Sequence, residues 1–423
     1  ILIRKGQQTL VLRSIVYMAD FYQNGIITTL HNIANRPVDD LEKELLSFSK
    51  QRPMGLILPS LFSELEGPAL QNIVKELQQV PYLSQITIGL DRADESQYRY
   101  ALNFFKSLDQ NHKVLWNDGP RLQALDKELQ ALGVAPRELG KGRNVWYCMG
   151  YKLATAEVES IALHDCDILT YDRGLLARLI YPVAHPRFNY EFCKGFYPRT
   201  ANGKINGRVS RLLVTPLLRS FKTILGSRDY LEYMDSFRYP LAGEFSFRRD
   251  VLNDIRIPSD WGLEIGVLSE MYRNYSHNRL CQVDIADNYD HKHQELSLDD
   301  QTAGLSKMSI DITKALFRKL ATQGVTFTSE TIRSLKATYY RIGLDFIETY
   351  HNDALMNGLT LDIHQEEKAV EMFAQNIMNA GQHFLEHPME APFVPSWNRV
   401  ASAMPDVLER LKEAVELDNE QYS

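Results

Sequence analysis

Two hydrophobic periodicities alternate between about residues 51 and 170. Short apolar runs of four to eight residues are separated by longer segments in which apolar positions recur at helical spacing. The runs predict strands over 54–59, 85–91, 113–116 and 158–164. The intervening segments predict helices over 65–79, 95–108, 120–132 and 144–154. Strands alternating with helices predict an α/β fold, a mostly parallel sheet covered by helices on both faces.

The rest of the chain follows a less regular pattern. Residues 1–50 are predicted as an N-terminal extension with one helix over 38–49, and 51–305 as the main domain with halves over about 51–170 and 171–305. In the second half the pattern predicts a helix over 209–225, then strands over 243–247 and 282–286 flanking a helix over 261–274. Residues 306–423 are predicted as a largely helical C-terminal region that caps the domain or forms a dimer contact.

Composition and charge exclude several classes of protein. The 423 residues are 44% hydrophobic and 24% charged, as is usual for a globular protein, and the net charge of −7 gives no support for nucleic-acid binding. Four widely spaced cysteines, without a C-x-x-C pair, favour a reducing compartment and no disulfide framework. Because no apolar run approaches 18 residues, we expect no membrane span and a cytoplasmic location. The chain begins with Ile1 rather than methionine, so the sequence leaves open whether a targeting segment precedes it.

Two aspartates one residue apart stand at the end of the apolar run 158–164. In an extended backbone, residues i and i+2 point to the same side, so Asp165 and Asp167 are predicted to face one divalent cation. Carboxylate oxygens suit Mg²⁺ or Mn²⁺, which commonly bind substrate phosphates as well. Ligands of open α/β sheets lie beyond the carboxyl ends of the strands. The pair therefore indicates an enzyme acting on a phosphorylated donor, although a solvated turn or helix cap has the same pattern.

Two basic loops lead into predicted helices. Gly140-Lys141-Gly142-Arg143 offers close backbone approach, a helix N-terminus and two cations, which suit a diphosphate. It matches neither a Walker loop nor a dinucleotide fingerprint, and an exposed basic helix start is the alternative. The second loop, 206–210, offers backbone N–H groups and Arg208 to a carboxylate or phosphate. Its Ser210 is alternatively only a helix cap.

Three further residues carry candidate chemistry. His291 and His293 follow a predicted strand, and their alternation allows at most one of them to face a given site if the segment is extended. Glu264 stands among apolar residues at a predicted helix start. Because an unpaired buried carboxylate is costly, we expect Glu264 to have a partner or to cap the helix.

Seven sequence blocks, taken in order, resemble the glucosyl-3-phosphoglycerate synthases, with the mannosyl-3-phosphoglycerate type included. These are retaining glycosyltransferases of the GT-A fold, which is Rossmann-like. The blocks are ILPS at 57–60, GKG at 140–142, DCD at 165–167, NGRVSRLLVTPLL at 206–218, GEFSFRRD at 243–250, WGLEIGVL at 261–268 and YDHKH at 289–293. The fourth and sixth blocks are the specific ones, and the resemblance covers about residues 54–325.

The resemblance implies roles for residues of these blocks and of the loops between them. Donor binding is implied for Pro59, Ser60, Leu61, Glu64, Asp91, Lys141 and Asp165. Acceptor binding is implied for Gly207, Arg208, Val209, Ser210 and His293. Metal binding, to Mg²⁺ or Mn²⁺, is implied for Asp167 and His291, with Asp165 near the metal or the ribose. Catalytic roles are implied for Asp167, Lys141 and Glu264.

The implied reaction moves glucose from UDP-glucose or GDP-glucose to the 2-hydroxyl of 3-phosphoglycerate, and the resemblance also implies a place in compatible-solute synthesis. Two departures leave the donor base open: the usual acidic pair after Pro59 is replaced by Phe62-Ser63-Glu64, and Asp91-Arg92-Ala93-Asp94 replaces an Asp-Ser-Gly-Ser type run. Mannose from GDP-mannose, glycerate as acceptor, and a non-catalytic nucleotide-sugar-binding protein are the alternatives. The family also implies a homodimer.

Overall fold

A computed structural model describes residue 23 and residues 25–136, 139–291, 304–388 and 393–423. Its centre is one eight-stranded sheet, beside which lies a small hairpin. The sheet strands are β1 Thr28–Leu30, β2 Met54–Leu61, β3 Leu83–Asp91, β4 His112–Trp116, β5 Ser160–Leu163, β6 Phe192–Phe196, β9 Phe245–Arg248 and β10 Leu280–Asp284. The hairpin strands are β7 Thr200–Ala201 and β8 Lys204–Ile205.

Helices cover both faces of the sheet and form most of the C-terminal region. The N-terminal extension contains α1 Val38–Phe48, and the first half contains α2 Pro68–Leu77, α3 Glu95–Phe105, α4 Pro120–Ala131 and α5 Lys141–Thr155. The helices of the second half are α6 Arg173–Ala184, α7 Thr215–Leu225, α8 Asp229–Asp235, α9 Val251–Asp254 and α10 Leu263–Asn274. The C-terminal helices are α11 Gly304–Ala321, α12 Ser329–Met356, α13 Ile363–Glu386, α14 Trp397–Ala403 and α15 Val407–Tyr422.

The sheet has the order β1-β10-β6-β9-β5-β2-β3-β4, and only β9 runs antiparallel to its neighbours. The predicted mostly parallel α/β sheet is therefore confirmed. Strand β2 is buried at every position from Met54 to Ser60, because helices pack on both faces of the sheet. The parallel arrangement brings the carboxyl ends of β2, β3 and β5 to one edge, where the loops that follow them meet.

Both ends of the described chain reach the edges of the sheet. Strand β1, within the expected N-terminal extension, pairs in parallel with β10. At the other edge, the Asn419 side chain of α15 accepts a hydrogen bond from the Val114 N–H at 3.1 Å and donates one to the Val114 carbonyl at 2.8 Å. The C-terminal region thus covers the edge strand β4, which would otherwise expose unpaired backbone groups.

Several elements have no counterpart in the sequence prediction, namely strands β1, β6, β7 and β8 and helices α6, α8 and α9. Among the sheet strands, β1 is only three residues long, and β6 is buried at all five positions, including Lys194 and Gly195. A strand buried on both faces shows no alternation of polar and apolar residues.

All four cysteines are buried, and none forms a disulfide. No helix among the described residues combines the length and apolar character needed to cross a membrane.

Candidate active site

A cavity of about 760 Å³ opens at the carboxyl edge of the sheet. Loops after β2, β3 and β5 form one wall, the starts of α5 and α10 a second, and the loop before α7 and helix α11 a third. All sequence-predicted site residues that the structure describes line it, namely Pro59, Ser60, Leu61, Glu64, Asp91, Lys141, Asp165, Asp167, Gly207, Arg208, Val209, Ser210, Glu264 and His291. The remaining candidate, His293, lies outside the described residues.

Lys141 stands between two carboxylates at the floor of the cavity. It is the first residue of α5, and its Nζ lies 2.6 Å from Oδ1 of Asp165 and 3.3 Å from Oε1 of Glu264. Glu264, in the first turn of α10, thus has the partner that its apolar surroundings predicted. Asp165 fits because residue 243 is glycine: a Cβ there would lie 2.4 Å from Oδ2 of Asp165.

Lys141 and Asp165 hold each other in their charged forms. Burial opposes the charge on Lys141, but Asp165 and then Glu264 outweigh it and raise the pKa of Lys141 above its ordinary value. Burial likewise opposes ionisation of Asp165, yet Lys141 keeps the pKa of that carboxyl below its usual range. An ammonium group is therefore fixed where it can face an anionic diphosphate.

Asp167 and His291 meet although 124 positions separate them in the chain. Ile168 forms an isolated antiparallel bridge with His291, and the Leu169 N–H donates to the Asp290 carbonyl at 2.8 Å. This pairing places Nδ1 of His291 3.5 Å from Oδ2 of Asp167. Both side chains are about three-quarters buried and line the cavity.

This pair fits a divalent cation that takes its remaining ligands from a bound diphosphate. A carboxylate oxygen and an imidazole nitrogen are suitable ligands, and Mg²⁺ usually has only one or two protein carboxylates. The role of Asp165 near the metal or the ribose stays a prediction. Strand β5 ends at Leu163 and the chain bends at Cys166, so the extended alternation assumed for Asp165 and Asp167 does not continue through them. Asp165 forms an ion pair with Lys141, and the described residues contain no cluster of three ligating side chains.

The loops after β2 and β3 form the wall predicted to bind the nucleotide. Pro59 and Ser60 are buried, and Asp91 ends β3. Burial, followed by the charge of the nearby Asp118, raises the pKa of Asp91 to about 6. Asp118 itself accepts a hydrogen bond from the Ala93 N–H at 3.1 Å. A carboxyl group that titrates near neutral pH therefore faces this end of the cavity.

The loop predicted to bind the acceptor turns sharply and then enters a helix. Gly207 has φ +75°, a left-handed conformation that favours glycine, and Val209–Val214 form a π-helical segment before α7. Arg208 donates from Nε to Oε1 of Glu366 at 2.7 Å, and Arg211 donates from NH2 to Oε2 of the same carboxylate at 2.9 Å. The cavity wall here is cationic and is tied to α13.

Several cavity residues were not predicted from the sequence. They are Arg92, Asp118, Asn144, Arg199, Arg211, Tyr239 and Asp260, together with Glu366 behind the wall. Asp118 follows the predicted strand at 113–116, so its position at a strand end was a usable signal. Glu366 offered none, because 158 positions separate it from Arg208 and no local pattern joins them.

Two curated relatives match nearly the whole chain. The glucosyl-3-phosphoglycerate synthase of Persephonella marina is 47% identical over 402 residues, which are 95% of this chain and 99% of the relative. The enzyme of the same name from Methanococcoides burtonii is 40% identical over 407 residues, again 95% and 99%. No model of a protein family matches the chain.

Solved structures share the fold at lower identity. Glucosyl-3-phosphoglycerate synthase from Mycobacterium tuberculosis, in complex with Mn²⁺, UDP-glucose and phosphoglyceric acid, has a TM-score of 0.51 and 19% identity, and it covers 72% of this chain and 89% of that one. Mannosyl-3-phosphoglycerate synthase from Rubrobacter xylanophilus has a TM-score of 0.51 and 20% identity, with 71% and 84% covered. The M. tuberculosis enzyme has also been solved with Mg²⁺ and UDP.

Proposed function

Because the chain belongs to the glucosyl-3-phosphoglycerate synthase family, we propose that it transfers glucose from UDP-glucose or GDP-glucose to the 2-hydroxyl of 3-phosphoglycerate. The resemblance of the seven sequence blocks is confirmed, and the chain is a glycosyltransferase with a GT-A fold. The expected cofactor, Mg²⁺ or Mn²⁺, agrees with the metals in the related complexes.

A single observation carries the proposed reaction. One cavity is lined by Asp167 with His291, by Lys141, and by the loop containing Arg208. Asp167 and His291 suit a divalent cation that also binds a diphosphate, and Lys141 suits the diphosphate itself. The loop containing Arg208 suits an anionic acceptor. A nucleotide-sugar sensor would need the first two but not a separate cationic loop in the same cavity.

On the donor side, the residues would bind and orient the nucleotide sugar. Asp167 and His291 would hold the cation, which when bound supplies positive charge to the departing diphosphate. Lys141, fixed by Asp165 and Glu264, adds a preorganised positive charge at the same end. Because Lys141 is already ordered, little reorganisation is needed when the sugar–phosphate bond breaks.

On the acceptor side, Arg208 and the backbone of the loop would hold 3-phosphoglycerate with its 2-hydroxyl at the anomeric carbon. In a retaining reaction without an enzyme nucleophile, the hydroxyl attacks from the face that the diphosphate leaves, and the leaving phosphate oxygen accepts its proton. Orientation of the two substrates then supplies most of the rate acceleration.

A substrate screen tests this function. UDP-glucose, GDP-glucose, UDP-mannose and GDP-mannose are each incubated with 3-phosphoglycerate or glycerate, with Mg²⁺ and with EDTA, and the products are identified by mass spectrometry. We expect a glucosyl-3-phosphoglycerate product that requires the metal. Donor binding without transfer in every mixture would favour a sensor. A mannosylated product would instead identify a mannosyltransferase, and an unphosphorylated product would identify glycerate as the acceptor.

Replacing Arg208 by alanine should raise the KM for 3-phosphoglycerate about 30-fold and leave the donor KM unchanged. The reason is that a hydrogen bond to a charged group contributes about 2 kcal/mol, and the acceptor alone is expected to use this one. Initial rates at varied acceptor and donor concentrations measure both constants. Arg333→Ala, at an exposed position on α12, is the matched control. A larger change in the donor KM would contradict the assignment.

The donor KM should rise as the pH falls through about 6, where Asp91 becomes protonated. An ionised carboxylate accepts hydrogen bonds from the nucleotide, whereas the protonated form has lost its charge. Asp91→Asn should remove this pH dependence. Asp118→Asn should move its midpoint to lower pH, because the charge of Asp118 raises the pKa of Asp91. A donor KM independent of pH between 5 and 8 would refute the role of Asp91.

A further inference from the structure

The acceptor wall depends on one buried carboxylate from the C-terminal region. Glu366, in the first turn of α13, is 2% exposed, and its two oxygens bind two different arginines of the wall. Both guanidinium groups are thereby held against one planar acceptor. Charge-assisted pairs of this kind fix orientation as well as distance.

The two arginines are held to different degrees. Arg211 is further fixed, because its Nε donates to the Asn206 carbonyl at 2.8 Å and its guanidinium lies 4.9 Å from the centre of the Tyr350 ring on α12. Arg208 binds Glu366 through Nε, so this pair does not use its two terminal amino groups. The side chain of Arg208 is 30% exposed and lines the cavity, whereas that of Arg211 is 8% exposed.

Charge explains why the carboxylate is needed. Without Glu366, two neighbouring guanidinium groups would repel each other in a partly buried site, and Arg208 would lose the partner that fixes its side chain. With Glu366 present, the group formed by Arg208, Arg211 and Glu366 keeps one net positive charge. Arg199, which also lines the cavity, adds another. The wall therefore stays attractive to a multiply charged anion while its geometry is fixed.

We infer that Glu366 is a positioning residue for acceptor recognition and that it acts through Arg208. The C-terminal helical region is then a part of the acceptor site as well as a cover for the sheet. This inference rests on the proposed function, since it takes 3-phosphoglycerate as the anion bound by Arg208.

Kinetics of Glu366→Gln test the inference. Glutamine keeps the shape and one acceptor oxygen but removes the charge, so we expect the KM for 3-phosphoglycerate to rise about 10-fold. The donor KM and the slow hydrolysis of the donor without acceptor should be unchanged. A purely structural role would instead lower the melting temperature, and it would impair donor binding, donor hydrolysis and acceptor binding together. Glu367→Gln, at an exposed position on the same helix, is the matched control.

A double-mutant cycle decides whether Glu366 acts through Arg208. In the Arg208→Ala background, Glu366→Gln should change the acceptor KM less than twofold, because the group that it positions is gone. Additive effects would overturn the inference, and so would an unchanged KM in the single variant. If Glu366→Gln is unstable, Glu366→Asp and calorimetric binding of 3-phosphoglycerate provide the same comparison. If the unmodified protein does not glucosylate 3-phosphoglycerate at all, the proposed function fails and this inference fails with it, whereas additive effects in an active enzyme overturn the inference alone.

Discussion

Replacing Asp167 by alanine should lower kcat/KM about 1,000-fold, equivalent to about 4 kcal/mol of transition-state stabilisation. The carboxylate is one of two side chains that would hold the cation, and the remaining His291 is a poor site by itself. The fold should survive, because Asp167 ends no helix or strand and lies at the cavity surface. Initial rates over a range of Mn²⁺ concentrations measure the loss and show whether excess metal restores any activity.

Two comparisons make the Asp167 result specific. Asp109→Ala removes a carboxylate at an exposed position and should behave as the unmodified protein. His291→Ala should resemble Asp167→Ala, including a weaker apparent affinity for Mn²⁺ measured by calorimetry in the presence of the nucleoside diphosphate. Activity within tenfold of normal in Asp167→Ala, with unchanged Mn²⁺ affinity, would refute the metal site.

The sequence predicted most of the fold because the elements that position the cavity carry local signals. Strand β3 is predicted from its apolar run, and α5 is predicted from 144 onward, although it begins three residues earlier, at Lys141. Strand β1 and the cover that α15 provides could not be predicted in this way. Each depends on a partner far away in the chain, β10 and Val114 respectively, and three residues are too few to show a period.

Sequence patterns predicted the residues of the candidate site one by one, and only the family resemblance predicted that Asp167 and His291 share one site. The Asp-Cys-Asp motif indicates two carboxylates, yet it contains no information about the bend at Cys166 or about the partner of each carboxylate. Asp165 turns to Lys141, and Asp167 to His291. The partners come from different elements of the fold, so their pairing depends on tertiary packing that no spacing along the chain encodes.

Replacing Lys141 by alanine should lower kcat about 100-fold with a smaller change in either KM. Lys141 is the cation placed between Asp165 and Glu264, and without it two carboxylates would face the departing diphosphate without compensation. Removal of one preorganised charge from an active site commonly costs a factor of 100 to 1,000, roughly 3 to 4 kcal/mol. Single-turnover rates with saturating donor and acceptor would isolate this step from binding and product release.

A matched control and a conservative variant show whether Lys141 takes part in catalysis or only neutralises the charges of Asp165 and Glu264. Lys106→Ala, at an exposed position, should have normal kinetics. Lys141→Arg keeps the positive charge but replaces a compact ammonium with a planar group, so it should keep the fold and recover only part of the rate. If Lys141→Ala retains its rate but loses thermal stability, the lysine serves only to neutralise Asp165 and Glu264, because a group that stabilises the transition state cannot be removed without slowing the reaction.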